Sequence, residues 1–240
     1  MLISKFTGSA STPTAPKTVA FPRGSRKKFA LVAAKAEAFY RERGRDFPWR
    51  HEFNPYLIAV AEILLQKTRA ASALPVYAQC VQRYPYARKL ADAAEIELKE
   101  LLLPIGLSQK RARQLRGMAE EIGRLGPAVF DDWRLLLTQV PGLGAYAARA
   151  IVCFARGERV GIVDANIARI FRRVFQVPRA DPRAVVYQQL ADAVAAKASD
   201  VRASNFGLLD IGAAICTARP LCADCPFVMF CPRFGVTQTR

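Results

Sequence analysis

Two acidic residues occupy positions where a carboxylate is either costly or useful. Glu62 lies inside the apolar stretch 57–65, where a buried carboxylate loses its hydration unless it has a partner or a chemical task. Asp164 directly precedes a helical stripe that begins at Ile167, so its simplest interpretation is a helix N-cap. Its functional interpretation is a carboxylate that faces a developing positive charge or deprotonates water. Two carboxylates around a cation-like intermediate are the arrangement that breaks glycosidic bonds.

Four cysteines crowd the C-terminal end of the chain, within 16 residues. They are Cys216, Cys222, Cys225 and Cys231. Such a set of soft thiolates can hold zinc or an iron–sulfur cluster and would couple metal binding to folding. The spacing alone leaves the metal open, because structural zinc prefers two short C-x2-C pairs and only one is present. The other two cysteines, Cys80 and Cys153, lie in apolar helical surroundings and are expected to be packing residues.

A glycine-containing turn, Val-Pro-Gly-Leu-Gly at 140–144, separates two predicted helices. Gly142 and Gly144 permit a tight turn and leave backbone N–H groups uncovered by a Cβ atom. Amides at the start of the following helix suit an anionic phosphate, and Arg149 is a candidate to assist them. A contact of that kind positions a protein on DNA without reading bases. An ordinary helix–turn–helix corner with a glycine cap explains the five residues equally well.

The charge balance points to a polyanionic partner. The 240 residues contain 36 Lys and Arg against 20 Asp and Glu, a formal net charge of +16, while 52% of the residues are hydrophobic. A field of this sign favours nucleic acid or another anionic surface, and the apolar content suffices for a globular core. Six cysteines are too few for a secreted disulfide scaffold. We expect no membrane span and no signal peptide, because no long uncharged apolar run occurs.

The first 28 residues differ in composition from the rest. They are rich in Ser, Thr, Ala and Pro and contain six basic residues but no acid, which predicts a flexible basic arm over 1–28. Without it, 30 basic and 20 acidic residues remain, so the arm does not explain the positive charge. We expect a cytoplasmic, nucleoid-associated protein in a bacterial or archaeal cell, although an acid-free arm is also similar to an organelle transit peptide.

The elements that must position these residues are helical throughout. Apolar residues recur at helical spacing from Phe29 onward, and no alternating strand or Asn-Gly hairpin is found, so the predicted fold is all-α. The predicted helices include Tyr56–Leu65 after an Asn54-Pro55 cap, Lys110–Ile122 ending at Gly123, 133–139, 145–155, 167–175, Leu190–Ala196 and Phe206–Ile215. The tract Phe47-Pro48-Trp49-Arg50 is interpreted as a core anchor with one exposed cation, and the single histidine, His51, as a surface or packing residue.

The ordered set of motifs resembles the helix–hairpin–helix DNA glycosylases, over about residues 39–231. The motifs are Phe47–Arg50, Asn54-Pro55-Tyr56, Glu62-Ile63-Leu64-Leu65-Gln66-Lys67-Thr68, Ile105-Gly106-Leu107-Ser108, Val140–Gly144, Val163-Asp164-Ala165-Asn166 and the four cysteines. The resemblance implies two helical lobes with a DNA cleft between them: 29–55 plus 159–240, and a helical barrel at 56–158 with the hairpin. It also implies a [4Fe–4S] cluster on the cysteines, although their first gap has five residues where the family usually has six.

The resemblance assigns roles to individual residues. Asp164 becomes the catalytic carboxylate that stabilises the oxocarbenium-like sugar of a flipped nucleotide and helps the attacking water. Glu62 becomes a residue that contacts the flipped base, with Tyr146 at the wall of its pocket. Tyr146 stands where bifunctional members carry a Schiff-base lysine, and a phenol cannot form an imine. The implied contacts with double-stranded DNA are Gly142, Gly144, Leu65, Gln66, Lys67, Ser108 and Gln109.

Subclass features favour a monofunctional glycosylase for thymine or uracil opposite guanine, acting as a monomer. Tyr146 and the sequence Ser108-Gln109-Lys110 are closer to that branch than to the MutY-type adenine enzymes, and the chain stops nine residues after Cys231, with no 8-oxoguanine recognition domain. The first alternative is an adenine glycosylase without that domain, because Glu62 and Gln66 also match the MutY pattern. The others are a non-catalytic DNA-binding protein and a bifunctional lyase that uses another amine, such as Lys67.

Overall fold

The computed structural model describes residues 25–178 and 181–236, and within these ranges every regular element is helical. The helices are α1 (Ser25–Arg43), α2 (Pro48–His51), α3 (Pro55–Leu65), α4 (Ala70–Arg83), α5 (Ala87–Ala91), α6 (Glu95–Leu102), α7 (Ser108–Leu125), α8 (Trp133–Gln139), α9 (Ala145–Arg156), α10 (Ala165–Phe175), α11 (Val185–Ala195) and α12 (Val201–Ala214). Three 3₁₀ turns, at Leu103–Ile105, Pro127–Asp131 and Cys222–Asp224, join or follow them. None of the described helices is long and apolar enough to cross a membrane. The predicted all-α fold is confirmed.

Helix α3 is the central element, and its sequence explains why. Pro55 occupies the first turn, where no backbone donor is needed, and the Asn54 side chain accepts a hydrogen bond from the Tyr56 amide at 3.0 Å. Every residue from Ile58 to Leu64 is buried, so the helix is apolar on all sides rather than on one stripe. Glu62 is therefore carried into the interior by the helix itself.

The helices pack as two groups that meet around α3, α9 and α12. In one group α3 packs against α4, α7 and α9, while α5 and α6 pack against α7 and α8 packs against α9. In the other group α1 packs against α11 and α12, and α10 packs against α11 and α12. Contacts between α9 and α12 join the two groups, and one continuous set of buried side chains fills the interior.

Several predicted boundaries are wrong, among them the starts of α11, at Val185 rather than Leu190, and of α12, at Val201 rather than Phe206. Helix α7 begins at Ser108 and ends at Leu125, because Gly123 continues the helix and the left-handed stop lies at Gly126, whose φ is +74°. Helix α1 begins at Ser25, so the last four residues of the predicted arm form its first turn, where the Lys28 ammonium donates to the Val174 carbonyl at 2.7 Å. The rest of the arm lies outside the described residues.

Candidate active site

A cavity of about 420 Å³ lies where the two helix groups meet. Glu62 from α3, Tyr146 from α9 and Asp164 from the start of α10 all line it, although more than 100 residues separate the first acid from the second. A wider opening of about 580 Å³ adjoins it and shares those three residues. The rim of that opening consists of Leu65, Gln66, Lys67, Gly142, Gly144 and Ala147. The structure thus brings together most of the site residues proposed from the sequence.

Glu62 is the carboxyl group without a partner in this cavity. Its residue is 8% exposed, and no hydrogen bond or ion pair reaches its side chain from the part of the chain that the structure describes. Burial raises the pKa of Glu62 to about 8. The group is therefore a neutral carboxylic acid at physiological pH, with an O–H to donate and a carbonyl oxygen to accept.

Asp164 is the N-cap of α10, as its simplest interpretation predicts, and it also lines the cavity. One of its oxygens accepts from the Ile167 amide at 2.7 Å, and the other accepts from the Asn166 side-chain amide at 2.9 Å. The Asn166 oxygen accepts from Arg169 at 2.8 Å, and Arg169 also donates to the Gly212 and Cys216 carbonyls. These contacts hold the orientation of the Asp164 carboxylate and connect it with the cysteine loop.

Tyr146 is half-buried and lines the same cavity as the two acids. Burial, and then the charges of Glu62 and Asp164, raise its pKa well above the ordinary value for a phenol. The hydroxyl therefore stays protonated and can donate or accept a hydrogen bond. It supplies aromatic surface and a polar tip to the cavity wall but no amine.

Arg50, which lines the cavity, belongs to a buried ion pair that was not expected from the sequence. Arg50 is 5% exposed and donates to both oxygens of Asp210 on α12, at 2.6 and 2.8 Å, so its predicted exposure is wrong. The Arg45 side chain and amide also donate to Asp210, at 2.5 and 3.0 Å. The rings of Tyr40, Phe47 and Phe206 lie within 6 Å of the Arg50 guanidinium carbon, which offsets part of its desolvation. His51 is exposed, as expected.

The glycine turn lies at the rim. Gly142 has a φ of +85°, and a Cβ atom there would lie 3.1 Å from the Gln114 Cβ, so both conformation and space favour glycine. Gly144 is the N-cap of α9, and the Gln66 side chain donates to the Gly142 carbonyl at 3.1 Å. Arg149 is not available to a phosphate here, because it is buried and pairs with Asp192 at 2.8 Å.

Two other proposed DNA contacts, Ser108 and Gln109, do not line the cavity. They begin α7 beside the turn 105–107, at the surface, where the Gln109 amide donates to Glu95 at 2.7 Å. Two buried charged residues, Asp210 and Arg111, were not singled out from the sequence. Asp210 lies in an apolar helical stretch just as Glu62 does, so the same argument could have found it. Arg111 carried no such signal, because basic residues are common along α7.

The four C-terminal cysteines surround one small cavity together with Arg173. Arg173 donates to the Cys216 sulfur at 3.2 Å, and the Arg233 amide donates to the Cys231 sulfur at 3.4 Å. Burial raises the pKa of the Cys225 thiol to about 11. The expectation for the other two cysteines is confirmed, since Cys80 and Cys153 are fully buried.

Comparison with known proteins identifies the class. Residues 60–196 match the family described as HhH-GPD superfamily base excision DNA repair protein. The chain belongs to this superfamily, as its motifs predicted, and it is a base excision DNA glycosylase.

Among its relatives, the thymine-DNA glycosylase of Aeropyrum pernix is 35% identical over 202 residues, which cover 80% of this chain and 89% of that protein. An adenine DNA glycosylase of Mycobacterium tuberculosis is 37% identical over 195 residues, which cover 79% of this chain but 63% of that protein. The structure of a thermostable thymine-DNA glycosylase matches with a TM-score of 0.81 at 30% identity, over 88% of this chain and 98% of that one.

Proposed function

We propose that the protein is a monofunctional glycosylase that hydrolyses the N-glycosidic bond of thymine or uracil opposite guanine. The observation that carries the proposal is the cavity that Asp164, neutral Glu62 and Tyr146 share, in which Tyr146 offers a phenol rather than an amine. Similarity to thymine-DNA glycosylases over most of both chains supports the choice of base.

The substrate base must leave its stack before it can enter this cavity. As the bond between the base and the sugar breaks, positive charge develops on the sugar, and the Asp164 carboxylate stabilises it and orients the attacking water. Its two hydrogen-bond donors, Ile167 N–H and the Asn166 amide, hold the carboxylate in place before the substrate arrives.

The base itself meets Glu62 and Tyr146. A neutral Glu62 can donate its O–H to a base carbonyl and accept the neighbouring imide N–H, which suits a pyrimidine such as thymine or uracil. Hydrogen bonding to the departing base stabilises the negative charge that it gains. Tyr146 walls the pocket and, having no amine, forms no Schiff base with the sugar, so strand cleavage by an imine route is not expected.

The duplex is held around the opening to this cavity. The backbone amides of the Gly142–Gly144 turn at the start of α9 are placed to meet a phosphate, and Leu65, Gln66 and Lys67 lie where the gap in the duplex would form. Ser108 and Gln109 extend the same face. We propose the lobes 29–55 plus 159–240 and 56–158 as the two sides of the DNA cleft, and a monomer as the acting species.

The cysteine loop fits a [4Fe–4S] cluster. All four thiols line one cavity, as the ligands of one cluster would. Arg173 and the Arg233 amide point at two of the sulfurs, as suits thiolates bound to a metal group. Cys216, Cys222, Cys225 and Cys231 would hold the cluster, which would staple the loop and orient its arginines.

Single-turnover base release tests the choice of substrate. The duplexes carry G:T, G:U, A:8-oxoguanine or A:G pairs, and alkali then reveals abasic sites. Release from G:T and G:U is expected. Release of adenine alone would favour the second candidate, an adenine glycosylase. The Mycobacterium tuberculosis relative and the Glu62–Gln66 segment support that candidate.

The role of Asp164 is tested on the duplex from which the wild-type protein releases a base. Asp164→Asn keeps the cap acceptor for Ile167 but removes the charge, so base release is expected to fall about 1,000-fold with duplex affinity retained. Excision near the wild-type rate would remove Asp164 from its catalytic role, and a binding protein without catalysis would show no release in either form.

Borohydride trapping tests the monofunctional assignment. No covalent protein–DNA adduct is expected, since Tyr146 offers no amine at the reacting centre. An adduct that disappears in Lys67→Met would show instead that the rim lysine acts as a lyase nucleophile.

A further inference from the structure

Arg111 is a buried cation that the reaction described above does not use. It lies on α7, its residue is 2% exposed, and no carboxylate of the described chain lies within 4 Å of its guanidinium. A buried charge normally persists only when it is paired or hydrogen-bonded, and here both terminal nitrogens are hydrogen-bonded while the Nε–H has no partner among the described residues. The contacts that replace an ion pair therefore indicate what Arg111 does.

All of the hydrogen bonds that its guanidinium donates go to two surface turns. One terminal nitrogen donates to the carbonyls of Ile105 and Gly106, and the other donates to the Gln66 carbonyl and the Thr68 hydroxyl. A planar guanidinium fork can join two such turns, whereas an ammonium group can point only one set of donors at one place. Arg111 is thus the common anchor of the turns 66–68 and 105–107.

Both turns hold a non-glycine residue in the left-handed region. Lys67 has a φ of +54° and Leu107 a φ of +51°, a conformation that is sterically unfavourable for residues with a Cβ atom. Each strained residue has Arg111-bonded groups beside it, Gln66 and Thr68 in the first turn and Gly106 in the second. The buried charge can therefore compensate the strain in both turns.

The first turn is also joined to the glycine turn at the rim. The Gln66 side chain donates to the Gly142 carbonyl at 3.1 Å, and the Gln114 amide lies 3.5 Å from the Gln66 side-chain oxygen. Gln66 and Lys67 border the opening above Glu62 and Asp164. Arg111 thus sets the shape of the surface through which an extruded base must pass.

We propose that Arg111 is a positioning residue whose guanidinium holds the turns 66–68 and 105–107 in the shape that keeps the target base out of the duplex. This proposal rests on the glycosylase acting on an extruded base, and it holds whichever base is the substrate. Its signature is a loss of base extrusion and release without an equal loss of DNA affinity.

The test compares three variants with the wild-type protein on the duplex from which the wild type releases a base. Arg111→Met removes the fork, Arg111→Lys keeps the charge without the fork, and Arg113→Met removes the same charge from an exposed position of α7. Circular dichroism at the assay temperature checks folding. Duplex affinity, single-turnover release and the fluorescence of a 2-aminopurine beside the target base, which reports extrusion, are measured for each variant.

We expect Arg111→Met to lose at least 30-fold in release and most of the 2-aminopurine signal at saturating protein, with affinity for undamaged duplex within threefold of Arg113→Met. Arg111→Lys should be intermediate. The proposal is overturned if release matches Arg113→Met, or if affinity falls as far as release while the signal at saturation stays at the wild-type level. If Arg111→Met does not fold, Arg111→Lys is judged by the same two criteria.

The outcome is separable from the choice of substrate. If the wild-type protein releases adenine rather than thymine or uracil, the proposed function fails, and the variants are compared on the adenine duplex instead. If the wild type acts on G:T or G:U and the Arg111 variants behave as Arg113→Met does, the positioning role fails alone.

Discussion

Two buried acids lie at or near the cavity, and their surroundings are opposite in kind: Glu62 lines the cavity itself, whereas Asp210 pairs with the lining residues Arg45 and Arg50. Glu62 on α3 meets no hydrogen-bond donor in the described chain, and burial raises its pKa to about 8. Asp210 on α12 is buried as deeply, but it accepts hydrogen bonds from Arg45 and Arg50. Burial by itself would raise the pKa of Asp210, yet the hydrogen bonds and charge of Arg50, followed by those of Arg45, hold it below the ordinary value.

The difference separates an acid kept for a substrate from one used by the fold. Asp210 is already satisfied, and it ties the loop before α2 to α12, so removing its charge should harm stability first. Glu62 has free hydrogen-bonding capacity toward the cavity, so replacing its acid group should harm chemistry first. The same change, acid to amide, is therefore expected to have opposite effects on stability at Glu62 and at Asp210.

The largest effect on stability is expected for Asp210→Asn. This change leaves Arg50 buried without its counter-charge, and breaking a buried pair in this way costs about 3–5 kcal/mol. Thermal or urea unfolding followed by circular dichroism measures it. Asp46→Asn, which changes an exposed acid paired with His51, is the control and should cost less than about 0.5 kcal/mol. Equal costs for the two variants would mean that the Arg50–Asp210 pair is not a structural anchor.

Glu62→Gln is expected to increase the unfolding free energy rather than lower it. Folding raises the pKa of Glu62 from its ordinary value to about 8, so the folded protein binds a proton that the unfolded chain releases between those values. Wild-type stability attributable to Glu62 is therefore greatest below pH 4.5 and is lost as the pH rises toward about 8. The glutamine variant lacks this dependence and should be more stable by about 1–3 kcal/mol at pH 8, but by little near pH 5.

The measurement is the unfolding free energy of both proteins at several pH values between 5 and 9 (the assay range). A glutamine variant that is less stable than the wild type at pH 8 would show that the Glu62 carboxylate has a partner in solution, which would erase the contrast with Asp210.

Protonation of Glu62 should also control the pH dependence of the base-release rate. If Glu62 donates from its neutral form, single-turnover release in the wild type falls above about pH 8, approaching tenfold per pH unit. Glu62→Gln keeps an N–H donor that does not titrate, so its slower release should be flat over the same range. Saturating protein at each pH removes the contribution of DNA affinity. A parallel decline in both proteins would assign the titration to another group.

The contrast between the two acids also shows which features of the site could be predicted from the sequence. Asn54-Pro55 and Asp164 predicted their helix starts, because caps depend on neighbours in the chain. Family motifs pointed to Glu62, Tyr146 and Asp164, and the structure shows that they share a cavity. The partners of Asp210 could not be predicted from the sequence, since Arg45 and Arg50 lie some 160 residues away along the chain. An arginine next to a histidine is also typical of an exposed position. Which long-range charges meet depends on packing that local patterns do not contain.

The smallest effect concerns the aromatic surroundings of the ion pair. Phe206 lies on α12 with its ring centre 4.7 Å from the Arg50 guanidinium carbon, and it stacks on Phe154 at 4.0 Å. Phe206→Leu keeps an apolar side chain but removes the ring face, so a loss of about 1 kcal/mol is expected from the cation–π and stacking contacts. If the ring acts by stabilising the paired arginine, the loss should shrink when Asp210→Asn has already disturbed Arg50, because coupled sites are not additive. Unfolding of the two single variants and the double variant measures this coupling, and strictly additive costs would mean that Phe206 supports the core alone.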